Sequence, residues 1–166
     1  MAKLKTEQFT FHLMPLEYEF PAESWIRGEL FLRLLVNRQT LLVQPQRAPT
    51  LSLHDYRRLV TGVRHFLDFS MESEDNLFED TEPFVFVPAE LDFEFSLLDA
   101  DLSPDGEGEV TVRVMIQVDN QAKPAYVGGA FSVEASQLRR FLNALEIEID
   151  QIAHRQVSSA FVRVEV

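Results

Sequence analysis

The chain has 166 residues and no cysteine, which excludes disulfides, zinc–thiolate sites and thiol nucleophiles. No apolar run approaches the roughly 18 residues that a membrane-spanning helix needs. The first residues, Met1-Ala2-Lys3-Leu4-Lys5-Thr6-Glu7-Gln8, lack the apolar stretch of a signal peptide. A soluble cytoplasmic protein is therefore the expectation. Glycine is sparse, with six in the chain, and none sits in a phosphate-binding loop or a nucleophile elbow. The His-Glu-x-x-His pattern is absent too. The four histidines stand apart from one another. His12 is placed on the polar face of a strand, His54 in the first turn of a helix, His65 just past a basic stretch, and His154 after a second helix. No catalytic residue or cofactor is indicated, and the expectation is a protein that is not an enzyme. A site assembled in three dimensions around His54 or His154 beside a carboxylate would reverse that.

The other conspicuous absence is of positive charge. Residues 65–112 contain no lysine or arginine, yet hold 15 of the 27 acidic side chains. The flanking regions are balanced or slightly basic, so the net charge of −12 comes from the middle of the chain. A field localised in this way repels nucleic acid and anionic membrane and attracts cations or a basic protein.

Alternation with a period of two dominates what is present. Phe9, Phe11 and Leu13 alternate with Gln8, Thr10 and His12. A further run, Leu16, Tyr18 and Phe20, begins after Pro15. Leu30, Leu32, Leu34 and Val36 share one face, and the presence of Phe31 and Leu35 opposite predicts a strand buried on both sides. A turn at Asn37-Arg38-Gln39 leads into 40–44, and residues 44–50 read as a connector. Short strands are predicted at Phe84–Val87, from Leu91 to Leu97, from Val110 to Val118, from Ala125 to Val133, and from Ala160 to Val166. The runs from Leu91 and to Val118 flank an acidic segment, and a hairpin is the simplest connection. Gly128-Gly129 is expected to be a bulge or kink in its strand.

Two stretches switch to helical spacing. Leu53, Tyr56, Leu59, Val60, Val63 and Leu67 form one stripe, with Ser52 as N-cap and Asp55 in the first turn. Leu138, Phe141, Leu142, Leu145, Ile149 and Ile152 form the other. The arginines fall off both stripes and read as solvated. Each helix has one apolar face to lay against a sheet. The class expected is α+β: mainly antiparallel sheet with two amphipathic helices packed on it, in a single domain over residues 1–166.

Two acidic segments are candidate sites. The first carries Glu72, Glu74, Asp75, Glu79, Asp80 and Glu82 around Leu77 and Phe78. Two apolar anchors inside an acidic rim suit docking of a basic protein, the anchors filling a pocket while the charges steer approach. A solvated loop with its apolar residues turned into the core has the same composition. In the second, Asp99, Asp101, Ser103 and Asp105 precede Gly106, as at the start of a calcium-binding loop. That match stops at Val112, where a bidentate glutamate is required, and strands flank the segment. A polar hairpin loop turning at Pro104 and Gly106 is the alternative. Three roles remain open: a protein-binding inhibitor, a calcium-dependent module, and a structural part of an assembly.

Several stretches resemble one family. Glu17-Tyr18-Glu19-Phe20-Pro21 followed by Ser24-Trp25-Ile26 is similar to the opening of the WapI-type immunity proteins. Leu51-Ser52-Leu53-His54-Asp55-Tyr56 resembles the start of that family's helix, and Phe86-Val87-Pro88-Ala89-Glu90-Leu91-Asp92-Phe93 its mid-chain strand entry. The order of elements agrees over roughly residues 10 to 150. The family's Asp-Ala-Asn before the tryptophan is replaced here by Ala22-Glu23-Ser24, and its closing Phe-Pro-x-Arg-like end is absent. The resemblance implies a cytoplasmic protein that neutralises a toxin by binding it. It carries no functional residue across, because the matched positions are core and turn residues.

Overall fold

A computed structural model of the chain describes residues 1–18, 25–72, 82–119 and 124–162. Its elements run β1 (Lys3–Lys5), β2 (Phe9–Tyr18), β3 (Trp25–Val36), β4 (Gln39–Val43), β5 (Thr50–Ser52), α1 (Leu53–Glu72), β6 (Phe84–Phe86), β7 (Phe93–Leu102), β8 (Gly108–Asp119), β9 (Ala125–Glu134) and α2 (Ala135–Val162). All pairing is antiparallel. The first sheet has the order β1-β2-β3-β4, with β5 also paired to β3, and the second has the order β6-β7-β8-β9. This is the α+β class that the alternation implies. Among the described residues, no helix is long and apolar enough to cross a membrane.

The alternating residues place the core. Phe9, Phe11 and Leu13 of β2, with Leu30, Leu32 and Leu34 across the ladder on β3, are buried on one face of the first sheet. Phe93, Phe95, Val110, Val112, Val114 and Ile116 do the same for the second. The Phe11 ring lies 6.1 Å from Phe93, 5.5 Å from Phe95 and 5.8 Å from Phe141 of α2. Phe9 stacks on Phe131 of β9 at 4.1 Å. The phenylalanines thus join the inner faces of both sheets to α2, in the tilted and offset arrangements that aromatic rings favour.

The structure departs from the periodic reading at several points. β2 does not restart after Pro15 but passes through it. Proline cannot donate to the ladder, and a register shift between Pro15 and Glu17 accommodates it. Leu16 is consequently exposed. β3 is not buried on both sides: Leu35 is 52% exposed, and Arg27, Glu29 and Arg33 share its outer face. β1 and β5, at three residues each, are too short to show a period, and β5 begins at Thr50, the last residue of the segment read as a connector. Leu91 lies before β7, half exposed and with a φ of 57°, in a turn closed by its N–H to the Pro88 carbonyl. Gly128 and Gly129 pair in unbroken register with Met115 and Val114, and the irregularity falls between Gln117 and Asp119.

Other expectations hold at atomic detail. Asn37 and Arg38 have φ values of 51° and 64°, which fits the two-residue turn that joins β3 to β4. Ser52 and Asp55 form a reciprocal cap on α1, the Asp55 N–H donating to Ser52 Oγ at 3.0 Å and the Ser52 N–H to Asp55 Oδ2 at 3.2 Å. The apolar stripe of α2 is buried as the spacing predicts. The strand expected at Ala160–Val166 does not form over 160–162, which remain in α2, while 163–166 lie outside the described residues. No glycine or proline follows Gly129 to stop the helix. His154 accordingly lies within α2 and not after it.

Candidate protein-binding face

The outer face of the second sheet is where negative charge gathers among the described residues. Pairing aligns Asp101 of β7 with Glu109 of β8, and Glu109 with Glu134 of β9. Asp99, paired with Thr111, lies on the same face two residues further along β7. All four carboxylates are exposed. Like charges placed directly across a sheet repel one another. No ion pair relieves this row among the described residues. Glu109 accepts a hydrogen bond from Ser132 Oγ at 2.7 Å, and Glu134 accepts one from Ser136 Oγ at 3.1 Å. Arg113, on the same face of β8, is held by Glu94, its Nε 3.0 Å from Glu94 Oε1. Burial would raise the Glu94 carboxyl, but hydrogen bonds from Ser96 and Arg113 outweigh it and hold the group below the usual carboxylate range.

The second acidic segment therefore resolves into two parts. Asp99 and Asp101 are strand residues on the outer face. Ser103 and Asp105 belong to the hairpin loop, where Ser103 Oγ donates to Asp105 and also to the Glu107 carbonyl at 2.8 Å. The bond from Ser103 and a second from the Glu107 N–H to Asp105 Oδ1 at 3.3 Å favour the ionised form and hold the Asp105 carboxyl below its ordinary value. Gly106, with a φ of 79°, turns the loop, and its carbonyl accepts from Arg139 of α2. Among the described residues, no group of three histidine, aspartate or glutamate side chains could hold a metal ion. Of the first acidic segment, Glu72 ends α1 and Glu82 is exposed just before β6. Glu74, Asp75, Leu77, Phe78, Glu79 and Asp80 lie outside the described residues.

Sequence reasoning singled out Asp99 and Asp101 but not their alignment with Glu109 and Glu134. The strand predicted from Val110 stops one residue short of Glu109, which β8 includes. Only the register brings the three strands' carboxylates into one row.

The arginines off the helical stripes are not idle. Arg64 of α1 grips Glu146 of α2 through two bonds of 3.0 and 2.6 Å. Its hydrogen bond raises the Arg64 pKa and lowers that of Glu146. Arg58 donates to the Val87 carbonyl at 2.7 Å and lies 4.9 Å from the Phe86 ring centre. Beside it, a groove of about 1000 Å³ is lined by His54, Arg57, His65, Phe66, Phe69 and Phe84, among others. His12 is on the outer face of the first sheet, as alternation requires, yet is only 1% exposed. It lies between Lys3 and Phe31 on neighbouring strands and stacks on Phe31 at 4.6 Å. Burial pushes its pKa down, Glu29 at 3.5 Å opposes this, and Nδ1 has no hydrogen-bond partner among the described residues.

A body of two packed sheets that presents a row of exposed carboxylates defines an α+β domain suited to binding another protein. The family model described as the Immunity protein WapI-like family matches residues 3–153, and the chain belongs to that family. Membership gives it an immunity-type role, the binding of a toxin partner. No curated protein matches the chain significantly.

Proposed function

We propose that this protein is a non-enzymatic inhibitor that neutralises a basic toxin or nuclease by binding it across the acidic outer face of the second sheet. The observation that carries this reading is the row Asp101, Glu109 and Glu134, joined by Asp99. These like charges are set side by side, exposed and without an ion-pair partner among the described residues. The arrangement costs stability in the free protein. A cationic surface laid on it removes the repulsion, and the same field accelerates encounter. A partner that binds polyanions would recognise such a face. A cytoplasmic location follows from the same reading, since that is where a nuclease would have to be met.

The test has two stages. The protein is used to capture partners from its native lysate at low and high salt, and a captured basic protein must arrest growth when expressed alone and cease to do so when this chain is co-expressed. Association is then followed for the native chain, for a variant with D99N, D101N, E109Q and E134Q, and for one with the acids at 72–82 neutralised. The four-site variant should associate at least about tenfold more slowly at low salt, with a flattened salt dependence. Association that is insensitive to salt and unchanged by the four substitutions would overturn the reading.

A further inference from the structure

A second polar feature lies where the two sheets meet, away from the acidic row. Trp25 and Arg27 of β3, Arg47 and Ala48 of the following loop, Thr50 of β5, and Glu90 and Asp92 before β7 line a cleft of about 470 Å³. Arg47 and Asp92 also line an adjoining cleft of about 210 Å³ with Gln117 and Asp119. Asp92 is the unusual member. Its side chain is only 6% exposed, and among the described residues its Oδ2 has no hydrogen-bond partner. The backbone at Asp92 is anchored, because its carbonyl accepts the Gln117 N–H at 2.9 Å. Asp92 thus stands at the junction of the two clefts.

The nearest cation does not satisfy it. Arg47 Nε is 3.8 Å from Asp92 Oδ1, beyond hydrogen-bonding distance, while Arg47 Nη2 is engaged by Glu90 at 2.9 Å. Arg27 is taken by Glu17. Burial raises the Asp92 pKa, with Arg47 and a hydrogen bond that the carboxylate accepts from the Thr50 backbone N–H acting against the rise. A buried carboxylate oxygen without a donor is costly, and a charged donor relieves it most. The volume is at the small end for ligand pockets, which suits one side chain better than a large cofactor. The indole of Trp25 in the same lining offers a planar surface against which a guanidinium packs favourably.

We propose that this cleft receives an arginine side chain presented by the protein partner, with Asp92 as its buried acceptor and Trp25 packing beside it. The inference rests on the inhibitor reading for the source of the arginine, and it adds a buried anchor to an interface otherwise held by exposed charge. Trp25 is the only tryptophan of the chain, so its fluorescence reports on the cleft without a label.

The full chain is titrated at constant ionic strength with N-acetyl-arginine amide, and in parallel with the lysine and glutamine amides. The arginine amide should give a saturable change in the millimolar range, the lysine amide a weaker one and the glutamine amide none. Asp92→Asn, whose fold is checked by its melting curve, should weaken binding at least about tenfold. Arg47→Gln removes the competing cation from an exposed position and should tighten it. No saturable change with the arginine amide, equal binding to D92N, or weaker binding to R47Q would overturn the proposal. Should D92N fail to fold, the R47Q result decides. Because this titration needs no toxin, its failure leaves the acidic-face reading standing. With the toxin in hand, D92N should speed dissociation at least about tenfold, and unchanged dissociation would remove the cleft from the interface.

Discussion

Phe11 is the residue whose removal tests the architecture most directly. Its ring is fully buried and touches both Phe93 and Phe95 of the second sheet and Phe141 of α2. Truncating a buried phenylalanine to alanine costs about 3–5 kcal/mol, depending on how far the site can collapse. Three ring partners on two different elements cannot all move in, and each aromatic pair adds about 0.5–1.5 kcal/mol beyond area burial. Phe11→Ala should therefore fall in the upper half, about 4–5 kcal/mol, and Phe11→Leu near about 1–2 kcal/mol. For a chain of this size the melting temperature should drop by about 8–20 °C. Urea unfolding would be followed by far-ultraviolet circular dichroism, which sees all elements, and by Trp25 fluorescence, which sees the first sheet. We expect the two transitions to coincide in native and variant protein, as one shared core requires. A cost below about 2 kcal/mol would refute the central placement of this ring. Separated transitions would show that the sheets unfold independently.

Three further outcomes are expected. Burial depresses the folded pKa of His12, so the native state resists its protonation. Its stabilising contribution is complete above the unfolded value near 6.5 and is lost as pH falls toward the folded value. Urea titrations from about pH 7 to pH 5 should thus show His12→Gln losing less stability than the native chain, and parallel profiles would count against the burial argument. The Arg64–Glu146 pair is nearly half exposed on both sides, so a double-mutant cycle should give a coupling of about 0.5–1 kcal/mol that fades in about 0.5 M salt. A coupling above about 2 kcal/mol would mean that the pair is shielded from solvent. Millimolar calcium should move the melting temperature by less than about 1 °C, because Asp99 and Asp101 face outward from a strand while Asp105 is bonded within its loop. A rise seen with calcium and not with magnesium would support the metal-binding reading instead.

The helices and most strands were legible because burial leaves a period. The stripe from Leu138 to Ile152 and the alternation from Val110 to Ile116 read directly as one buried face each. The cap at Ser52 and Asp55 was legible for a similar reason, being local chemistry between residues three apart. Errors arose where a neighbour decides. Phe31 and Leu35 are apolar enough to suggest burial, but no described residue covers Leu35 on the outer face of β3. His12 is polar enough to suggest exposure, but Phe31 and Lys3 close over it. The end of α2 was misread because β-branched and aromatic residues at its tail resemble a strand, when no residue there breaks the helix.

What the sequence determined by itself is the class of the fold and the sign and chain position of the charge. Period and composition are properties of the chain in order, and burial of apolar faces follows from them. What only the tertiary structure decided is which distant groups become neighbours. Register set Asp101 beside Glu109 and Glu134, and packing of the two sheets brought Arg47 and Trp25 to Asp92. Side chains with no periodic relation to one another meet only when strand order and sheet packing are chosen, and those are settled by the whole core at once.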